Sequence, residues 1–360
     1  MAADNARRGR DLARPPRILI ATDACPPQVN GVARTIEWLA DELNAMGVET
    51  VMLTPNGFPT FPMPSYPSLR LAAPSPNRIA REIERHRPDA VHIATEGPIG
   101  FMARRHCLRA GRRFTTCYHT RFPEYIAARA PVPLSWSYAV LRHFHNAAAA
   151  TMVSTETLQS ELAGRGFNKL VLWRRGVPVQ GFAGQAAADF DWPRPIFLYV
   201  GRIAVEKNID AFLSLNLPGT KVVVGDGPAR RQLQSLFPEA RFLGRLEGAE
   251  LAAAYGGADA FVFPSLTDTF GLVVLEALAA GLPVAAFPVA GPRDILGDSG
   301  CGALDADLQR AALAALDIPR DKCRAFGARH TMRKSAHGFL TIVSQAIGLT
   351  IPEDVLQAAG

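Results

Sequence analysis

Short apolar runs alternate with amphipathic stretches along almost the whole chain. Residues 17–22 (RILIAT) read as a buried strand. Residues 31–46 set Ile36, Leu39, Ala40 and Leu43 on one stripe of a helix, Gly47 ends it, and residues 48–53 return to strand. The same alternation predicts strands at 90–93, 114–118, 151–154 and 171–174, with helices at 76–86, 99–110, 134–150 and 155–165. Residues 56–67 (NGFPTFPMPSYP) are too rich in proline for an element and read as a long irregular rim loop, and 120–133 reads as a connection. After residues 180–194, small and polar and read as a linker, a second series begins. It has strands at 195–200, 221–224, 241–243, 260–264 and 283–288, helices at 229–237, 248–256 and 270–280, and a last amphipathic helix at 333–347.

Continuous apolar strands separated by helices are what a parallel sheet covered on both faces requires. The expected fold is therefore α/β, with two doubly wound, Rossmann-like domains facing a central cleft. The boundaries read as a disordered basic tail at 1–16, an N-terminal domain at 17–180, a C-terminal domain at 181–335, and a C-terminal helix within 336–360 that can cross back to the N-terminal domain.

Length agrees with two domains, since 360 residues exceed what one core usually holds. The five cysteines form no C-x-x-C pair, which reads as buried, reduced thiols and a cytoplasmic protein. Residues 1–17 have no apolar segment of signal-peptide type, and the low-charge run 271–291 is broken by Glu276, Gly281 and Pro283, which argues against a membrane span. Charge is lopsided: residues 1–180 carry net +9 and residues 181–360 net −3. That favours an anionic partner for the first half, a nucleotide diphosphate, an anionic membrane surface or nucleic acid, although arginines on solvated faces give the same count.

Candidate chemistry gathers in the second half, after predicted strands, where ligands of open α/β sheets bind. Gly201, Arg202 and Lys207 follow the first strand, Gly225 and Gly227 the second, and Asp268 the fourth. Arg202 and Lys207 can both reach one diphosphate; lysine is scarce here, with five in the chain. Glu276 lies inside an otherwise apolar helix, where an unpaired carboxylate costs several kcal/mol, so a polar partner is expected. Asp268 and Glu276, eight residues apart, would lie ~12 Å apart along a helix axis, the span from a nucleotide ribose to the sugar on its diphosphate. In the first half Gly31 opens a helix where free amides can meet a phosphate. No G-x-G-x-x-G is present, which disfavours a dinucleotide-binding dehydrogenase.

The series GR-x4-KN, VVVGDGP, ADAFVFPS, TDTFGLVVLEALAAGLPVAA and PVAGP resembles the retaining GT-B glycosyltransferases of family 4 over nearly the whole chain. CPPQVNGVART and YHTRFPEY resemble that family's glycine loop and His-bearing loop. YHTRFPEY, with RHFHN and LWRRGV, is similar to the bacterial subgroup that glycosylates lipids such as diacylglycerol. The resemblance implies that Arg202 and Lys207 neutralise the departing diphosphate, helped by amides near Gly31. Glu276 would bind the ribose, and Asp268 would hold the transferred sugar with the amides of Thr269, Phe270 and Gly271. His119 would bond that sugar, and Arg245 and Leu246 would border the base. Asp268 stands where the family's E-x7-E motif has its first Glu.

The resemblance also implies retention without an enzyme nucleophile, the acceptor attacking from the leaving-group face and passing its proton to the leaving phosphate, so no general base is assigned. D-x-D occurs at Asp189–Asp191 and Asp305–Asp307; both read as structural, and neither a metal nor another cofactor is expected. The implied partners are a UDP- or GDP-linked sugar and a lipid acceptor at the cytoplasmic face of a membrane, and no nucleic acid. The alternatives are a transferase of polysaccharide or lipopolysaccharide assembly and a non-catalytic nucleotide-sugar-binding protein.

Overall fold

The structure is a computed structural model that describes residues 14–26, 30–63, 66–127, 131–352 and 355. The basic tail expected at 1–16 lies outside these residues up to position 13. The chain divides into two compact units, one of Met1–Arg174 with Arg333–Gly360 and the other of Arg175–Met332.

The first unit contains β1 (Arg17–Ala21), β2 (Glu49–Leu53), β3 (Thr60–Met63), β4 (Tyr66–Ala72), β5 (Ala90–Ile93), β6 (Thr115–Cys117), β7 (Ala150–Val153) and β8 (Leu170–Leu172). Six of them form a parallel sheet in the order β2-β1-β5-β6-β7-β8. Its centre is dry: Ile18, Leu19, Ile20, Val91 and Ile93 are fully buried, each side chain contributing ~1.5–3 kcal/mol.

β3 and β4 form a separate antiparallel ribbon, pairing Thr60 with Ala72 and Phe61 with Leu71. This corrects the expectation of an irregular loop. In a two-stranded ribbon both strands are edges, so prolines remove no obligatory ladder bond. A short helix, Phe122–Ala127, also occupies part of the expected connection at 120–133. The C-terminal helix Met332–Ile347 belongs largely to this unit. Trp173 Nε1 donates to the Ser335 carbonyl at 2.8 Å, Arg333 pairs with Glu42 at 3.0 Å, and Phe339 meets the His92 ring edge-on.

The second unit contains β9 (Ile196–Val200), β10 (Thr220–Val224), β11 (Arg241–Gly244), β12 (Ala260–Phe263), β13 (Val284–Ala286) and β14 (Gly302–Leu304). All pair in parallel, in the order β11-β10-β9-β12-β13-β14. The central strands β9 and β12 are buried at every residue, and the helix Leu272–Ala279 is buried from Val274 to Ala279.

The stretch 180–194 is not a free linker. Ala188 N donates to the Ala253 carbonyl at 2.9 Å, and Arg241 covers Trp192, which stacks on Phe190. Its small residues permit close backbone packing, which composition alone cannot separate from flexibility. All five cysteines are buried, and none is in a disulfide. Among the described residues, no helix is long and apolar enough to cross a membrane.

Candidate active site

In the second sheet the strand order reverses between β9 and β12. Connections from the carboxyl ends of those two strands leave in opposite directions, which is the usual ligand position in such folds. Three loops are tied together at this edge. Gly201 N donates to Val224 O, Ile203 N to Asp226 O, and Gly225 N to Gly244 O. A Cβ on Gly225 would sit 1.9 Å from the Gly201 carbonyl, so only glycine allows the β9 and β10 loops this approach. Asn208, in the left-handed region at φ 53°, donates from Nδ2 to the Pro264 carbonyl at 3.1 Å. That bond pins the turn carrying Lys207 to the end of β12.

The consequence is a contact between the two predicted groups: Lys207 Nζ donates to Asp268 Oδ1. Asp268 Oδ2, Ser265 Oγ and Thr267 Oγ1 are buried and make no hydrogen bond. Three buried polar atoms without partners in one four-residue stretch are rare in a native fold and mark a place for a ligand rich in hydroxyls or oxygens. Arg202 is half-buried, and burial lowers its pKa, with the charge of Glu206 acting the other way. A desolvated cation of this kind is stabilised by an arriving anion.

Gly271, at φ 97°, forms the N-cap of the helix Leu272–Ala279 and gives its first turn no side-chain cap. Thr269 and Phe270 are half-buried in the segment leading to it. Glu276 is 1 % exposed and does have the polar partner its position requires: the Tyr255 hydroxyl donates to its Oε2 at 2.9 Å. Gly227 opens the turn after β10. Arg245, after β11, is exposed and donates from Nε to Glu247 Oε1 at 2.9 Å, beside a half-buried Leu246. The structure thus gathers Gly201, Arg202, Lys207, Gly225, Gly227, Arg245 and Asp268 on one sheet edge.

Gly31 and His119 belong to the first unit. Gly31 is the exposed first residue of the helix Gly31–Ala45, whose N-cap Asn30 accepts from Ala33 N at 2.9 Å. His119 follows β6, half-buried, its ring edge-on to Trp173. Near this sheet's own reversal, between β1 and β5, Asp23 is buried and accepts from Thr95 Oγ1, Ile99 N and Gly100 N. Burial raises its pKa to about 6 against those bonds. Glu96 and His145, both buried, pair at 2.9 Å.

Of the D-x-D texts, Asp307 caps the helix Leu308–Ala315 through Gln309 N and Arg310 N, and Asp305 pairs with Arg310. Among the described residues, no group of three or more His, Cys, Asp or Glu side chains is placed to hold a metal ion. Sequence reasoning assigned no role to Asn208, Ser265, Thr267 or Tyr255. Tyr255 carried a signal, being the single hydroxyl in the apolar segment LAAAYGG.

Comparison with known proteins shows what the chain is similar to. The family profile described as Glycosyl transferases group 1 matches residues 194–318, and that described as Glycosyltransferase Family 4 matches residues 29–180. A GDP-mannose-dependent alpha-mannosyltransferase of Mycobacterium tuberculosis is 32 % identical over 78 % of this chain and 81 % of its own. An alpha-monoglucosyldiacylglycerol synthase of Streptococcus pneumoniae is 26 % identical over 83 % and 78 %. The solved structure of Anabaena HepE in complex with UDP and glucose superimposes with a TM-score of 0.68 over 91 % of this chain and 99 % of that one. Its 14 % identity makes that a likeness of fold.

Proposed function

The chain belongs to glycosyltransferase family 4 and uses a nucleotide sugar, and from that premise we propose a retaining transfer of a hexose or uronic acid from a UDP- or GDP-linked donor to a hydroxyl of a membrane lipid such as diacylglycerol. The observation that carries the donor side is the Lys207–Asp268 contact at the strand-order reversal, with Asp268 Oδ2 buried and unbonded beside it. Lys207 and Arg202 face the diphosphate, Asp268 and the Thr269–Gly271 backbone hold sugar hydroxyls, and Glu276 takes the ribose. The acceptor oxygen attacks the anomeric carbon from the leaving-group face. As the carbon–oxygen bond to the diphosphate breaks, its electron pair goes to the phosphate oxygen, which also takes the acceptor proton. Fixed cations stabilise that developing charge, usually the largest catalytic term. With this role filled by Lys207 and Arg202, turnover is expected to proceed in EDTA.

The helix Leu134–His145 supports a lipid acceptor. Tyr138, Leu141, Phe144 and His145 are buried, while Leu134, Trp136 and Val140 are exposed, Trp136 to 70 %. The helix contains Arg142 and His143 and no acidic residue. Trp136 and Val140, one turn apart, form an exposed apolar pair on a helix that also exposes Arg142, which suits an anionic bilayer surface, where each Lys or Arg contributes about 1 kcal/mol. The name of the pneumococcal relative points the same way. Flotation with phosphatidylglycerol vesicles tests this: binding at low salt that weakens at high salt is expected, and no binding would remove the lipid acceptor.

A further inference from the structure

Glu276 and Tyr255 come from different helices, Leu272–Ala279 and Gly248–Gly257, and meet in a dry interior where the tyrosine ring is fully buried. The ring is held from two sides: Phe182 meets it edge-on at 5.8 Å, and Phe261 lies tilted at 5.9 Å. Packed this way it cannot swing, so its hydroxyl is a fixed donor. That hydroxyl lies nearer to Glu276 Oε2, at 2.9 Å, than to the Val273 carbonyl, at 3.5 Å. The nearer bond fixes the carboxylate.

A free glutamate side chain at this depth could turn about its last bond. Bonded to Tyr255 it presents one defined edge, and the bond offsets part of the desolvation of its charge. A cis-diol is read by a carboxylate whose direction is set in advance, because both hydroxyl bonds must form together. We propose that Tyr255 is a positioning residue that aims Glu276 at the ribose hydroxyls of the donor nucleotide. It touches no reacting atom, and its role rests on the reading of Glu276 as the ribose group.

The experiment compares the full-length wild type with Tyr255→Phe, which keeps the ring and removes the hydroxyl. Inhibition of sugar transfer by UDP and 2′-deoxy-UDP, and by GDP and 2′-deoxy-GDP, is measured for each, with donor KM and kcat. In Tyr255→Phe the donor KM is expected to rise about 5- to 10-fold, with a smaller fall in kcat and a ribo/deoxyribo inhibition ratio falling toward one. A ratio of inhibition constants does not depend on the folded fraction of a preparation, so a destabilised variant still reports. Glu276→Gln separates the two claims. If it collapses the ratio while Tyr255→Phe keeps the wild-type ratio, Tyr255 does no positioning and the ribose role of Glu276 stands. If Glu276→Gln itself keeps the ratio, the ribose reading fails, and the role of Tyr255 with it. A double variant worse than Glu276→Gln alone would also overturn the proposal, because Tyr255 would then act by another route.

Discussion

Replacing Lys207 by alanine separates what its ion pair does for the fold from what it does for the reaction. The Lys207 and Asp268 side chains are 22 % and 15 % exposed, and no other hydrogen bond reaches Asp268 Oδ2. Losing the ammonium leaves a mostly buried carboxylate unpaired, at a cost of about 1–3 kcal/mol, eased by water reaching the partly exposed pair. For a unit of this size that corresponds to a few degrees in Tm. The catalytic loss is larger. A unit charge about 4 Å from a departing phosphate is worth about 4 kcal/mol at an effective dielectric constant near 20, or roughly a thousandfold in rate. Arg202 retains part of that stabilisation, so kcat/KM should fall about 100- to 1,000-fold.

The assay is release of nucleoside diphosphate with the best donor, alongside thermal unfolding. Lys207→Arg, which keeps the charge with different geometry, should recover part of the loss, whereas Lys207→Met should not. A kcat/KM of Lys207→Ala within about fivefold of wild type, with the fold intact, would refute the assignment of this lysine to the leaving group.

Other outcomes follow from the same geometry. Asp268→Glu lengthens the reach to the sugar by one methylene, about 1.5 Å, and should change the ranking of donor sugars; an unchanged ranking would exclude Asp268 from sugar recognition. Burial holds the Asp23 carboxyl at about 6 instead of 3.8, so the folded state keeps this proton more tightly than the unfolded chain. Its effect on stability therefore turns unfavourable as pH rises from about 4 through about 6, by about 3 kcal/mol. The wild type should lose stability relative to Asp23→Asn over that window in denaturant titrations, and parallel curves would contradict the assignment. Trp136→Asp with Val140→Asp should weaken binding to anionic vesicles at least tenfold while nucleoside diphosphate affinity is retained, since both side chains are exposed on the first unit.

Local pattern carried the second half of the chain well, because its strands are buried end to end and their carboxyl-end loops hold the glycines and charges. The opposite cases show what pattern cannot hold. The β3–β4 ribbon was hidden by prolines that an edge strand tolerates. The compact units change at Arg174/Arg175 and Met332/Arg333, where composition does not change. The bonds Asn208–Pro264 and Tyr255–Glu276 span 56 and 21 residues. Such contacts depend on how helices and loops come to rest, and side-chain type announces them only as polar groups in need of partners.

The most direct test is product analysis with the purified full-length chain, diacylglycerol in phosphatidylglycerol vesicles, and a panel of UDP- and GDP-linked sugars, with EDTA present. The expected result is a monoglycosylated lipid with one of these donors, carrying the anomeric configuration of the donor. An inverted linkage, a strict need for added metal, or transfer to glycans with none to lipid would contradict the proposed reaction.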